Sequence, residues 1–199
     1  NHGINFAGNN ATTQLVSGGG DIYLKGRGSG TGANTYGMYL VGGLINAGNG
    51  IIRFDALARN SNNHALEFAG SGGQKFRAYA AGGTNSTASP AIEVKARVEH
   101  SGNRRAILFG WSSCTINDNL FEARGEGGIS LLATRSTGTE VPMTLDGVSL
   151  LSRTAPIYVS TNAGNNGILF YEPGSGCRSG AAFGAATGSS IARTSWGSA

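Results

Sequence analysis

The sequence predicts an all-β protein built as a parallel β-solenoid of about seven coils. Three observations support this fold. Short runs alternate apolar and other residues, as in a strand with one buried face. Clusters of glycine and asparagine, which tolerate positive φ, separate these runs. The combination recurs about every 26 to 29 residues. In the clearest unit, residues 36–63, the alternating positions are Met38 and Leu40, then Ile52 and Phe54. One unit is too short to bury its own apolar face, so we expect the units to stack.

The other units follow this pattern along the chain. The first contains HGINFAG and DIYLKGRG, the third HALEFAG and KFRAYAAGG, the fourth AIEVKA and RAILFG, the fifth GISLLATRSTGT, the sixth VPMTLDG and APIYV, and the seventh GILF. The match between ALEF at 65–68 and AIEV at 91–94, one unit apart, favours a solenoid over an antiparallel β-sandwich. The sandwich stays the alternative, because it also has short strands with turn signals. No helical pattern with caps occurs, so we expect almost no α-helix.

Stacked parallel strands place equivalent side chains in interior columns, with neighbouring coils about 4.8 Å apart. One predicted column contains Ile4, Met38, Leu66, Ile92, Met143 and Ile168. A second contains Ile22, Ile52, Phe76, Ile107, Ile129 and Ile157. We assign the solenoid domain to residues 1–177. Residues 178–199 lose the periodicity in a run of Gly, Ala, Ser and Thr, and we expect this C-terminal tail to cap the open end or to contact a neighbouring subunit.

Composition narrows the possible functions. The chain has 199 residues, enough for one domain with a sizeable core. Its 34 glycines do not recur at every third position, which argues against collagen. The net charge of +4 does not by itself indicate nucleic acid, and we expect none as a partner. No apolar run reaches about 18 residues, so we expect no membrane span. The chain opens at Asn1, and we expect a processed product or a piece of something longer.

Two segments resemble a known family. The run YGMYLVGGLINAGNGII at 36–52, and GDIYLKG at 20–26 followed by a Gly/Ser/Thr run, are similar to the repeat region of filamentous-haemagglutinin-type adhesins. The resemblance is best over residues 2–90. Members of this family are large bacterial surface proteins exported by two-partner secretion, and their repeats form right-handed parallel β-helices. The resemblance therefore implies a right-handed β-helix in a secreted, non-enzymatic adhesive or structural rod at the cell surface.

Two other functions stay open. A subunit that polymerises end to end into an extracellular filament would fit the tail and the flat solenoid ends. A polysaccharide-acting β-helix enzyme or a phage tailspike would need a cluster of catalytic side chains. The best acid pair is Asp118 and Asp146, about one coil apart. Both flank turns, where aspartate caps the local backbone, so we expect no enzymatic activity.

The histidines do not predict a metal site, and no cofactor is implied. No cysteine or carboxylate lies at metal-ligand spacing from them. His2 and His64 each precede the first strand of a unit, so we expect them on a common edge of the solenoid.

Four residues are candidates for covalent modification. Asn10 and Asn85 begin Asn-x-Thr motifs in predicted turns and are candidate glycosylation sites. Cys114 and Cys177 lie two to three coils apart, which approaches or exceeds the span of a disulfide bond. We favour two free thiols, with a disulfide as the alternative.

The pattern also predicts one binding surface, a basic ladder. If the second column points inward, its neighbours along the chain point outward, because side chains alternate across a strand. The ladder consists of Lys25, Arg27, Arg53, Lys75, Arg77 and Arg105. We expect Tyr23 and Tyr79 to interleave with it, Glu67 and Glu93 to fall on another face, and Asp55 to offset some of the charge. Because stacked like charges repel, the predicted partner is an anionic glycan or host surface. The alternative is a solvated face that keeps the rod soluble.

Overall fold

A computed structural model describes twelve stretches of the chain: residues 2–8, 13–30, 35–59, 64–69, 75–100, 102, 104–110, 119–136, 141–162, 167–169, 181–185 and 191–193. Every one of these residues lies in a strand, a turn or irregular structure, so the expected scarcity of α-helix is confirmed for this part of the chain. Within the same stretches, no helix is long and apolar enough to cross a membrane.

The strands form three parallel sheets, which we call A, B and C. Sheet A contains β1 (Ile4–Ala7), β4 (Met38–Val41), β7 (Leu66–Ala69), β10 (Ile107–Gly110), β13 (Met143–Leu145) and β16 (Ile168–Leu169), paired in that order. Sheet B contains β2 (Gln14–Val16), β5 (Gly43–Gly48), β8 (Phe76–Ala80), β11 (Asn119–Ala123), β14 (Val148–Ser152) and β17 (Ala181–Ala185). Sheet C contains β3 (Ile22–Gly28), β6 (Ile52–Ala58), β9 (Ile92–Val98), β12 (Ile129–Arg135), β15 (Ile157–Thr161) and β18 (Ile191–Arg193).

Each strand pairs in parallel with the strand three places later along the chain, so each coil contributes one strand to each sheet. This is a parallel β-helix, as predicted. The described strands make six coils of three strands, whereas the sequence suggested about seven coils of two. The difference arises at 91–94, which we matched to 65–68 as the same position one coil later. In the structure β7 and β9 belong to one coil and lie on different sheets.

The interior columns therefore exchange members relative to the prediction. In sheet A, Ile107 pairs with Leu66 and Met143, so Ile107 and not Ile92 belongs to the first column. In sheet C, Ile92 lies between Ile52 and Ile129. Phe76 belongs to neither column, because it lies on sheet B beside Gly43. The residues themselves are buried as predicted, except that Ile4 and Ile168 are only partly buried and pack against the core.

Phenylalanine side chains fill the space between the three sheets. Phe54, Phe68, Phe76, Phe109 and Phe121 are all fully buried. The rings of Phe68 and Phe109 stack across coils with centroids 4.5 Å apart, and Phe121 meets Phe68 edge-on at 5.0 Å. Such pairs contribute roughly 0.5–1.5 kcal/mol beyond their area burial. The aromatic centre therefore ties all three sheets together and makes the coil a rigid support for the side chains outside it.

Glycine makes the tightest corners. Only Gly42, with φ of 67°, separates β4 from β5, and the Asp146-Gly147 pair, with φ of 63° at Gly147, separates β13 from β14. At the corner between sheets B and C, a Cβ on Gly82 would lie 2.6 Å from the Asn49 carbonyl oxygen of the preceding coil. Coils at strand spacing leave no room for a side chain there, so glycine is required by close approach of two backbones.

The segment that we expected to be a tail, 178–199, adds two strands to the sheets. β17 pairs with β14 and β18 pairs with β15, both in parallel. The sheets thus continue past residue 177, where we expected the solenoid to end.

Candidate functional site

The predicted basic ladder is distributed over three faces of the β-helix. Lys25, Arg27 and Arg53 lie on sheet C, Arg77 lies on sheet B with Lys75 immediately before its strand, and Arg105 precedes sheet A. The ladder as drawn from the sequence is therefore wrong. The cause of this error is the one that affected the interior columns. The ladder was aligned on Phe76 and Ile107, which belong to sheets B and A and not to sheet C.

The outer face of sheet C carries alternating charges instead of a cationic ladder. Glu93, which we expected on another face, is the register partner of Arg53. The Arg53 Nε lies 3.5 Å from one Glu93 oxygen, and the Lys95 Nζ lies 2.7 Å from the other. Glu93 therefore offsets part of the positive charge of Arg53 and Lys95.

Asp55 takes a similar place one strand earlier. It accepts two hydrogen bonds from the Arg27 guanidinium, at 3.2 and 3.1 Å, and lies 4.0 Å from the Lys25 Nζ. Exposed pairs of this kind stabilise a protein by roughly 0–1 kcal/mol. Their main effect is to remove the like-charge repulsion that stacked cations would suffer. The offset by Asp55 that we expected is confirmed.

The two tyrosines do not interleave on one face. Tyr23 lies on sheet C, 60% exposed, with the Arg53 guanidinium 5.4 Å from its ring centroid. Tyr79 lies on sheet B, where the Arg124 guanidinium is 3.8 Å from its ring. Each tyrosine has its own cationic neighbour on its own sheet.

A second group of side chains, which the sequence did not reveal as a unit, lies at the outer side of sheet A. We call it the Tyr36 cluster; it contains His2, Tyr36, Tyr39, His64 and Glu67. The His2, Tyr36 and Tyr39 rings are nearly parallel, with centroids 5.0 to 5.2 Å apart in all three pairs. The His64 ring lies 6.3 Å from Tyr36. The expected common edge of His2 and His64 is thus confirmed, because both stack on Tyr36.

Glu67 is the buried acid of this cluster. It is 7% exposed and lies between Tyr39 and Leu108 in the register of sheet A. Burial raises the pKa of its carboxyl from 4.5 to about 7, although a hydrogen bond from the Tyr36 hydroxyl and the charge of Arg104 act in the opposite direction. Burial, followed by the neighbouring Glu67 charge, raises the pKa of Tyr36 and of Tyr39. Both phenols are therefore neutral at physiological pH.

His64 is buried and neutral. Its Nδ1 accepts a hydrogen bond of 2.9 Å from the backbone N–H of Arg105, so the ring proton lies on Nε2. Burial first, and then the charges of Arg105 and Arg104, lower the pKa of His64 from 6.5 to about 3. Burial likewise lowers the pKa of His2. The aromatic side chains of the cluster are therefore neutral and lie close to two arginines, while Glu67 ionises near neutral pH.

The remaining predicted residues are scattered. Asp146 is buried at the corner between β13 and β14. Asn85 is exposed in a turn in which the Thr84 N–H bonds the Ser89 carbonyl at 2.8 Å. Four residues lie outside the described stretches: Asn10, Cys114, Asp118 and Cys177. In the part of the chain that is described, no group of three His, Cys, Asp or Glu residues is placed to hold a metal ion.

Comparison of the chain with protein-family models, with curated proteins and with solved structures finds no match in any of the three. The adhesin resemblance of residues 2–90 therefore stays a prediction.

Proposed function

We propose that this chain is a non-enzymatic rod segment of a bacterial cell-surface protein, and that it acts outside the cell by presenting side chains for adhesion. The observation that carries the proposal is the parallel pairing of three sheets through successive coils, with a register shift between Asn46 and Gly48 on sheet B. Such a solenoid gives a stiff surface in which each coil contacts only its neighbours, and solenoids commonly use their extended faces for binding.

The distribution of side chains supports this proposal. The interior is apolar and closely packed, while ion pairs link successive coils of sheet C, as between Arg59 and Glu99 at 2.6 Å. The chemistry available at the Tyr36 cluster is ring stacking by neutral aromatic side chains and hydrogen bonding, which suits recognition. Since the basic ladder is dispersed, an anionic partner would have to be recognised elsewhere on the surface.

Adhesion of protein-coated beads to cultured epithelial cells under flow tests the proposal. Beads coated with the wild-type chain should be retained, and beads coated with an unfolded Leu66→Asp variant should not, because the surface depends on the coil. Enzymatic removal of cell-surface glycans before the assay identifies a glycan partner. Equal loss of both kinds of bead would contradict the adhesive function, and turnover of a polysaccharide by the purified chain would contradict its non-enzymatic character.

A second candidate function is a subunit of an extracellular filament, and one observation favours it. β2 is the end strand of sheet B, and its Leu15 and Val16 are 36% and 54% exposed. An end strand with exposed apolar side chains offers unpaired backbone groups to another chain. If the filament function holds, negative-stain microscopy of the purified chain should show long fibres, and Val16→Lys should abolish them. A monodisperse monomer in size-exclusion chromatography would argue against this alternative.

A further inference from the structure

The Tyr36 cluster has the geometry of an aromatic platform. Three stacked rings in one column would place the outer two about twice as far apart as neighbours. Here the ring centroids of His2, Tyr36 and Tyr39 are 5.0 to 5.2 Å apart in every pair, with planes 11° to 26° from parallel, so each ring stacks against both others; we call this triangular group the plate. All three side chains are partly exposed. Tyr39 is on β4 and the other two just precede strands of sheet A, so the paired strands of two coils hold the plate in place.

A group of partly exposed aromatic rings with polar groups at its margin suits the ring of a sugar. One face of a pyranose presents C–H groups that pack against an aromatic ring, and the hydroxyls around it need a few well-placed hydrogen-bonding groups. The partly exposed Tyr36 hydroxyl supplies such a group at the plate, and its hydrogen bond to the buried Glu67 carboxyl holds it in place. A preformed pair of this kind needs no reorganisation to receive a hydroxyl.

The charge near the plate favours an acidic sugar. His64 is neutral, its ring lies 6.3 Å from Tyr36, and its Nδ1 accepts a hydrogen bond of 2.9 Å from the backbone N–H of Arg105. The preceding residue, Arg104, therefore lies beside the same edge of sheet A, and its charge influences the ionisation of Glu67 and Tyr36. The backbone of Arg104 is held in place: its N–H bonds the Gly102 carbonyl at 2.9 Å, and its carbonyl accepts a hydrogen bond from the buried Arg135. Arg135 also bonds the Gly102 carbonyl at 2.9 Å. The Arg104 side chain is exposed at this fixed point, and a guanidinium pairs with a carboxylate through two parallel hydrogen bonds.

We propose that the Tyr36 cluster and Arg104 form a binding site for a uronate residue of an acidic polysaccharide. The sugar ring packs on the plate of His2, Tyr36 and Tyr39, and its carboxylate pairs with Arg104. This proposal rests on the adhesive function proposed above and names the ligand class and the surface that would serve it. It also places anionic-glycan recognition on sheet A, away from the dispersed basic ladder.

Isothermal titration of the purified chain with tetragalacturonate tests the site, and fully methyl-esterified tetragalacturonate is the matched ligand. The ester keeps the C–H face and removes the charge. We expect wild-type protein to bind the free acid about tenfold more tightly than the ester, a typical effect of one charge-assisted hydrogen-bonded pair. Arg104→Gln should abolish this preference, and Tyr39→Ala should weaken binding of both ligands.

Two variants on other faces serve as controls. Arg124→Gln removes an exposed arginine from the end of a sheet B strand, and Tyr23→Ala removes an exposed tyrosine from sheet C; both should bind like wild type. Unchanged thermal unfolding shows that a variant is folded, and Tyr39→Leu replaces Tyr39→Ala if the alanine variant is not. Absence of tetragalacturonate binding by wild-type protein would overturn the site, as would wild-type affinity of folded Arg104→Gln and Tyr39 variants. If coated beads still adhere to cells in either case, only the uronate site fails; if they do not, the adhesive function fails with it.

Discussion

Replacing Glu67 by Gln removes a buried carboxyl while keeping its shape, and the effect on stability should depend on pH. Burial raises the pKa of Glu67 from 4.5 to about 7, a difference of about 2.5. At roughly 1.4 kcal/mol for each pH unit, ionising this group in the folded protein costs about 3 kcal/mol. Because the folded state holds the proton more tightly than the unfolded state, the contribution of Glu67 to stability is present below pH 4.5 and is lost as the pH rises to about 7.

His64 acts in the opposite direction. Its pKa falls from 6.5 to about 3 on folding, so the unfolded state binds the proton more tightly and stability is lost as the pH falls from 6.5 towards 3. Between about pH 4.5 and 6.5 the two slopes nearly cancel in the wild-type protein. The pH profile of the wild type alone would therefore conceal both groups, and the difference between variant and wild type is the informative quantity.

Urea unfolding of both proteins from pH 4.5 to pH 8 measures that difference. Glu67→Gln should match the wild type at pH 4.5 and be more stable by up to about 3 kcal/mol at pH 8. Glu122→Gln is the control, because Glu122 lies on sheet B beside Arg124 with its side chain 33% exposed. The control should show no comparable gain at high pH. An equal free-energy difference for Glu67→Gln at pH 5 and pH 8 would refute the argument.

Three further predictions concern the fold. Leu66→Asp places an unpaired charge at a fully buried position and should prevent folding. Leu66→Ala should fold, with a free energy of unfolding in urea lower by about 2–5 kcal/mol. A cooperatively folded aspartate variant would contradict the interior column. Gly82→Ala should lower the free energy of unfolding by about 1–3 kcal/mol, because the added Cβ clashes with the preceding coil. Gly20→Ala, with open space around the added Cβ, should stay within about 1 kcal/mol of wild type. Equal urea-unfolding midpoints for the two variants would count against backbone contact at the Gly82 corner. Arg27→Gln breaks exposed hydrogen bonds to Asp55 and should lower stability by less than about 1 kcal/mol, so a larger loss would mean that the sheet C pairs are structurally essential.

The fold class was predictable because period-two alternation indicates strands with one buried face, and glycine clusters indicate where strands end. The number of strands in each coil was not. A single glycine, Gly42, separates β4 from β5, and two residues separate β13 from β14. In sequence these corners are indistinguishable from a strand followed by a hairpin turn. The pattern therefore predicts one strand where the structure has two, one on sheet A and one on sheet B.

That error then propagated to the surface. Which residues share an outer face depends on which strands share a sheet. If a strand is assigned to the wrong place in the coil, its residues are predicted on the wrong one of the three sheets. Arg77 and Arg105 were therefore grouped with Arg53, from which sheet assignment separates them. The edge shared by His2 and His64 was predictable because both precede a strand of sheet A. The raised pKa of Glu67 was not, since ALEF at 65–68 resembles AIEV at 91–94, where the equally buried Glu93 forms ion pairs with Arg53 and Lys95.

The stability that the folded protein loses when Glu67 ionises is evidence that this residue has a function. A buried carboxyl whose ionisation opposes folding is not needed by a β-helix, and its register neighbour Leu108 shows that an apolar side chain fits this row. Groups that break a local rule of folding are most often found at functional sites. If Glu67 serves the uronate site, Glu67→Gln should gain stability at pH 8. At pH 5, where Glu67 keeps its proton, the same variant should lose affinity for tetragalacturonate, because the amide changes the hydrogen bond to Tyr36. A gain in stability with unchanged affinity would show that Glu67 has no part in binding, and that the plate and Arg104 bind the uronate without it.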